Sequence, residues 1–394
     1  MELERDTVSQ GQGVNIIFMA VALILGMAGA LQMPVVSLFL TREIGASPFM
    51  VGMFYTVNAL AGVGVSQLMA RKSDAGGNRR RLILLCCSVA IANALLFAFS
   101  RDYRILVSAG VILSALATTA MPQLFALARQ YSVGADFDVI KFTTRMRAQI
   151  SISWVIAPPV AFFIIAHFGF TALYLLVALL FVLGGLFVLS SLPAGDVPPR
   201  SATPATSATP TATGRSQEAW LLFAALALLW GGDTMYLIDM PIYISSLPGM
   251  GSSFAGWLLG GAAGLEILIM LFCSPVIKRV GTRPMMLLAA GCSALFYLGM
   301  TQAVSPWALA AIQVLNAVFI GIVGALGMLY LQELMPESPG TASTLYSNSI
   351  ATGAIFAGLL QGAISQHWNH QAVYYAALSL SLLALLLLLK VKDA

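Results

Sequence analysis

Charge is what this chain lacks. Only 9% of its 394 residues are Asp, Glu, Lys or Arg, and 59% are hydrophobic, with a mean hydropathy of +0.88. A soluble domain carries about 25% charged residues, so a soluble protein is excluded and an integral membrane protein is expected. Cysteine is scarce too. Cys86 and Cys87 are adjacent in one apolar run, and Cys273 and Cys292 lie in two others, which excludes a disulfide framework and reads as small buried hydrophobes. There are three histidines, and no Cys/His spacing suggests a metal site. His367 and His370 are an i, i+3 pair around Trp368 and Asn369 in an expected loop, not a ligand pair. There is no Walker loop, so ATP is not the expected energy source. Without a Gly-x-Ser-x-Gly elbow or a paired-His motif, a membrane hydrolase is not expected either. The expectation is a protein that is not an enzyme and needs no cofactor.

What is present is a series of long apolar runs. A membrane span needs about 20 apolar residues. By that measure the sequence predicts twelve, at 14–40, 48–70, 81–100, 103–130, 138–166, 169–192, 219–246, 253–278, 283–302, 305–335, 340–366 and 371–389. Residues 1–13 are polar, and the run after them is too long for a signal-peptide core, so the first span is expected to be retained. Residues 193–218 contain Ser-Ala-Thr-Pro repeats with almost nothing to bury. They read as a flexible cytoplasmic linker between an N-terminal six-helix bundle, 1–192, and a C-terminal one, 219–394.

The net charge of +4 does not point to nucleic acid, because the basic residues cluster at the ends of the apolar runs. With the N-terminus inside, seventeen of the 20 Lys and Arg fall on the cytoplasmic side; only Arg42, Arg101 and Arg104 fall outside. The positive-inside rule then puts both termini in the cytoplasm. The two halves also echo each other. Met33-Pro34 in span one matches Met240-Pro241 in span seven, and Arg71-Lys72 after span two matches Lys278-Arg279 after span eight. Repeated six-span halves joined by a polar linker are a sequence signature of secondary transporters.

Three acids lie inside spans: Asp233 and Asp239 in span seven, and Glu266 in span eight. An ionisable group at mid-helix costs about 2.5–3.5 kcal/mol on insertion scales, so each marks a candidate functional site. Glu266 is the deepest, sits in Gly260-Gly261-Ala262-Ala263-Gly264-Leu265-Glu266, and is the leading candidate for proton coupling and substrate contact. Asp239 and Asp233 are secondary candidates. Their six-residue separation turns a helix by about 240°, so they cannot face one groove squarely. Asn58, Gln123, Gln149, Asn316 and Asn348 are expected to line the same cavity, because side-chain amides both donate and accept hydrogen bonds, as neutral hydroxylated ligands require. Arg147 either points into that cavity or snorkels to the cytoplasmic face. Pro158 and Pro159 are expected to bend span five. Asp74, in the basic loop after span two, is expected to pair with Arg129 and close the cytoplasmic side in one state; the alternative is a solvated surface charge.

Several of these segments resemble a known family. Ala70-Arg71-Lys72-Ser73-Asp74 with Gly77, Arg79 and Arg80 is a loose match to the loop motif of the major facilitator superfamily, with alanine for the first glycine and one extra residue. Gly29-Ala30-Leu31-Gln32, Pro122-Gln123, Arg147-Ala148-Gln149, Ala263-Gly264-Leu265-Glu266 and Asn316-Ala317-Val318 are similar to segments of the bacterial sugar efflux transporter (Set) family. The resemblance implies an all-α membrane protein with twelve transmembrane helices in two six-helix bundles. It also implies a proton-linked exporter of small sugars or glycosides, such as lactose, glucose or thiogalactosides, in the bacterial inner membrane. The expected partners are the sugar, protons and membrane lipid, with no nucleic acid, and the expected state is a monomer. A drug exporter of the same fold and a sugar sensor that does not transport are the rival readings.

Overall fold

The computed structural model describes residues 2–74, 78–134, 139–192 and 215–392, and among these it contains helices and no strands. In chain order they are α1 (Glu2–Gln32), a 3-10 turn at Met33–Val35, α2 (Val36–Arg42), α3 (Pro48–Asp74) and α4 (Arg79–Phe99). Next come α5 (Tyr103–Ile105), a π-helical turn at Leu106–Gly110, α6 (Val111–Ala117), α7 (Ala120–Gly134) and α8 (Val139–Ser191). The second half holds α9 (Arg215–Ser246), α10 (Ser252–Val280), α11 (Thr282–Gln302), α12 (Pro306–Leu334), α13 (Pro339–His367) and α14 (His370–Lys390). Residues 193–214 of the expected linker lie outside the described residues, and α9 starts at Arg215.

Among the described residues, ten stretches are long and apolar enough to cross a membrane. One of them, Lys141–Ser191, runs for 51 residues, more than twice what a bilayer core requires. It breaks at Gly169, whose φ of 81° and ψ of 174° interrupt the helix, a conformation open to glycine and disfavoured for residues with a Cβ. The expected limits of spans five and six meet at this point. The helix continues through Pro158 and Pro159, so the departure from helical torsion lies at Gly169 and not at the prolines. The 29 residues of α13 also have span length, but its Ser, Thr, Asn and Gln side chains keep it out of the most apolar ten.

Side chains are distributed inside out relative to a soluble protein. Phe99, Trp257, Phe272 and Trp307 are exposed, whereas Asn93, Gln313, Asn316, Asp233, Asp239 and Gln361 are buried. Lipid tails solvate apolar side chains and cannot hydrogen-bond polar ones, so the polar groups turn inward.

The chain forms two compact units, Met1–Val36 with Leu60–Thr206, and Ser37–Ala59 with Ser207–Ala394. In the first, α1 and α4 both pack on α8. Ser153 supports the α1 contact: its hydroxyl donates to the carbonyls of Leu23 (3.3 Å) and Gln149 (2.9 Å). Gly26 lies directly opposite, where a Cβ would come within 2.8 Å of the Ser153 hydroxyl. Arg101, after α4, gathers the carbonyls of Phe97, Ala98 and Ser100 and the hydroxyl of Thr171, tying the end of α4 to the second part of α8.

In the second unit, α9 is the central helix and packs against both α13 and α14. Gly353 of α13 allows the α9 contact, since a Cβ there would lie 2.6 Å from the Ala227 carbonyl. Buried apolar side chains from α9, α11, α12 and α14, among them Leu226, Met286, Phe319 and Leu388, form a continuous core. A second seam joins the first part of α3 to α13. A Cβ on Gly358 would lie 2.5 Å from the Gly52 carbonyl and 2.5 Å from the Thr56 hydroxyl, and Thr56 donates to the Ile355 carbonyl at 2.9 Å. Small residues let membrane helices pack backbone to backbone in this way.

Adding a methyl group to this seam forces it apart. Gly358→Ala is expected to destabilise the protein by about 1–3 kcal/mol through overpacking. Gly291→Ala, where a Cβ meets nothing within 4 Å, is expected to leave stability unchanged or slightly raised. Thermal unfolding of both variants in detergent checks this; an unfolding midpoint for Gly358→Ala equal to that of the wild type would contradict the seam.

Candidate functional site

Asp233 is buried in the middle of α9, and its Oδ1 has no hydrogen-bond partner among the described residues. Gly232 beside it lets the ring of Tyr297 from α11 approach, with a Cβ position 3.4 Å from the Tyr297 hydroxyl. Asp233 is close enough to Glu266 of α10 for the two charges to repel, and its charge also acts on Tyr236 and Tyr297. Glu266 is half-buried, and its carbonyl packs near Gly321 of α12.

The network continues into α12. The Tyr236 hydroxyl donates to Gln313 Oε1 at 3.3 Å, and Asn316 Nδ2 donates to the same oxygen at 3.2 Å. Gln313 and Asn316 are both buried, spaced i, i+3 on one helix face. Several polar atoms around this network are buried without a partner among the described residues: Asp233 Oδ1, Asn316 Oδ1, the Tyr297 hydroxyl and Trp230 Nε1. A buried polar group left unpaired costs about 1–3 kcal/mol. Several of them together, carrying both donors and acceptors, suit a hydroxylated ligand or bound water.

Asp239 has different partners, as the turn of the helix between it and Asp233 requires. It is wholly buried, and its Oδ1 accepts from Gln361 Nε2 of α13 at 2.9 Å and from His370 Nδ1 of α14 at 2.8 Å. The Ser365 hydroxyl lies 3.2 Å from the same ring nitrogen. Tyr243 and Tyr374 are near enough to interact with the Asp239 charge. His370 departs from its sequence expectation. It is not a loop residue but the first residue of α14, whose N-cap is Asn369: that side chain accepts from the amide of Ala372. Sequence reasoning weighed it only as half of a metal-ligand pair with His367 and set it aside as a loop residue. A buried acid lacking any Lys or Arg nearby in sequence was the signal that a long-range donor had to exist.

The remaining candidates are spread more widely. Asn58 is half-buried, with its Oδ1 unpaired, and belongs to the second unit with Asp233 and Glu266. Asn348 is exposed on α13. Gln123, buried, and Gln149, half-buried, belong to the first unit. Arg147 is exposed there and shares with Arg79, Arg129, Gln130, Thr143 and Thr144 the lining of an open cavity of about 720 Å³. The side chain of Asp74, the expected partner of Arg129, lies outside the described residues.

Known proteins share this arrangement of helices and much of this sequence. The Major Facilitator Superfamily model matches residues 18–251 and 222–394. The chain is 49% identical over 381 residues to sugar efflux transporter A of Escherichia coli (strain K12), covering 97% of each. It is 41% identical over 383 residues to sugar efflux transporter B of Salmonella typhimurium, covering 95% of each. In fold it is similar to the crystal structure of the nucleoside transporter NupG, with a TM-score of 0.81 over 96% of this chain and 100% of that one, at 15% identity. Identity at this level over nearly the full length of such relatives, on a helical membrane fold with buried acids, means that the chain belongs to the sugar efflux transporter family of the major facilitator superfamily.

Proposed function

We propose that this protein exports small sugars or glycosides across the bacterial inner membrane in exchange for protons, by alternating access. The observation that carries the reading is the buried network of Asp233, Glu266, Tyr236, Gln313 and Asn316, which holds two mutually repelling acids beside unpaired donors and acceptors. Close similarity to proteins named sugar efflux transporters supports the substrate class and direction. Lactose, glucose and thiogalactosides are the substrates to test first. In this reading twelve helices span the membrane as a monomer, with both termini cytoplasmic, because seventeen of the 20 basic residues then face inward.

The roles follow from the chemistry. Two carboxylates that repel each other in an apolar surround are relieved when one proton binds, so proton binding and substrate binding can be made to exclude each other. Glu266 carries the proton, with Asp233 as its partner. Asn316 presents a free carbonyl oxygen, and a sugar hydroxyl is a suitable donor to it. Trp230 and Tyr236 offer flat apolar faces on the same helix. In the first unit, Gln123 and Gln149 supply further amides, and Asp74 with Arg129 closes the cytoplasmic side.

Purified protein in liposomes tests the central claim. Wild type is expected to show counterflow of labelled lactose and export driven by a pH gradient. Glu266→Gln is expected to keep the counterflow while gradient-driven export falls by roughly tenfold or more. Unchanged pH-dependent export in Glu266→Gln would sink its role. Flux of lipophilic cations without sugar flux would identify a drug exporter instead, and sugar binding without flux a sensor.

A second measurement addresses the cytoplasmic pair. Asp74→Arg and Arg129→Asp are each expected to lower export, and the double swap to restore much of it. A double mutant no better than either single would rule out direct pairing.

A further inference from the structure

The pair formed by Asp239 and His370 is not used by the network around Glu266. Asp239 is completely buried, yet it takes two hydrogen bonds on one oxygen, from Gln361 and His370. Its second oxygen has no partner among the described residues. Of the groups around it, Gln361 and Tyr374 are wholly buried and Tyr243 and Ser365 nearly so. The His370 side chain is 29% exposed. Among Asp239's partners it is the group that touches both the buried acid and the outside of the protein. No Lys or Arg pairs with Asp239 among the described residues. A permanent cation would lock the acid in its ionised form, whereas imidazole gains and loses a proton near neutral pH.

We propose that His370 relays protons between the water on the extracytoplasmic side and Asp239. The sidedness and the need for protons rest on the proton-coupled reading above, in which the turn between α13 and α14 lies outside. The imidazole contacts Asp239 from α9 and Ser365 from α13, and the carboxylate it bonds is in turn surrounded by Gln361 from α13, Tyr243 from α9 and Tyr374 from α14. From α11, the Thr301 carbonyl accepts from the neighbouring Gln371 at 2.6 Å and anchors the first turn of α14. The relay balances as follows. In the resting state neutral His370 donates a hydrogen bond from Nδ1–H to the Asp239 carboxylate, leaving Nε2 able to accept a proton. Water delivers a proton to Nε2, giving an imidazolium beside a carboxylate. The Nδ1 proton then moves to Asp239 Oδ1, leaving a neutral acid and a neutral ring protonated on Nε2. Loss of that proton to water and recapture on Nδ1 resets the ring after Asp239 has passed its proton inward. The net change per cycle is one proton carried from outside water to Asp239.

The test uses the full-length protein in liposomes with the outside pH stepped and the lumen buffered. His370→Asn keeps a side-chain N–H near the position of Nδ1 and so keeps the tie to Asp239, but it cannot accept and pass on a proton. Expected for this variant are wild-type thermal stability, sugar counterflow within about twofold of wild type, and gradient-driven export lower by roughly tenfold or more, with its dependence on outside pH flattened. A purely structural His370 would instead leave the pH profile of His370→Asn unchanged. That result overturns the relay while leaving proton coupling intact, because wild type in the same experiment still shows coupling. Absence of any proton movement in wild type marks failure of the coupling reading itself. If His370→Asn does not fold, His370→Gln, whose longer amide also reaches toward Asp239, is read by the same criteria. Export by His370→Gln with the wild-type dependence on outside pH overturns the relay equally.

Discussion

In a bilayer the backbone cannot hydrogen-bond to its surroundings, and everything else in this molecule depends on that constraint. It turns the described residues into helices, and it forces the polar side chains inward. Once the backbone is satisfied within each helix, an unpaired polar atom has to belong to a side chain. In the second unit most such atoms sit on α9, α11, α12, α13 and α14. Close packing elsewhere is achieved with glycine. Gly353 and Gly358 of α13 bring that helix against α9 and the first part of α3 with almost no side chain between.

The two units divide the charge between them. The first keeps Arg79, Arg129 and Arg147 around an open cavity, and its described polar interior consists of neutral groups such as Asn93, Gln123 and Ser153. The second buries two carboxylates, Asp233 and Asp239, and half-buries a third in Glu266. Span two matches span eight in the repeat, and where span eight has Glu266, span two offers Asn58, an amide that contributes hydrogen bonds and no titration. In the proposed function the acids of the second unit carry the proton chemistry.

The helices were legible because a span must be apolar for about 20 residues, a signal strong enough to survive without an alignment. Even the break at Gly169 falls where two expected spans met. Asp233 and Glu266 were legible for the same reason, since a charge stands out in an apolar run. What the sequence hid were the long-range meetings. Nothing near Gly52 in sequence indicates that it faces Gly358 and Gly362, and nothing near Asp239 indicates Gln361 or His370. Proline removes one helical hydrogen bond, yet the helix runs on through Pro158 and Pro159, and the residue that leaves helical torsion is Gly169.

Six residues separate Asp233 from Asp239, about 9 Å along the axis of α9. That distance is too long for direct proton transfer, and the two acids point to different neighbours. Tyr236 and Tyr374 lie between them in electrostatic terms: Asp239 and Tyr236 both act on Tyr374, and Asp233 acts on Tyr236. The buried Tyr374 hydroxyl lies against the Asp239 carboxylate. A phenol both donates and accepts, so with a water molecule beside it such a hydroxyl can bridge two acids that never touch. One helix then carries both ends of the path. In the proposed relay Asp239 takes protons from His370, while Asp233 faces Glu266, where a proton and a sugar hydroxyl would compete. The turn of α9 between its two acids would then keep entry and exchange apart.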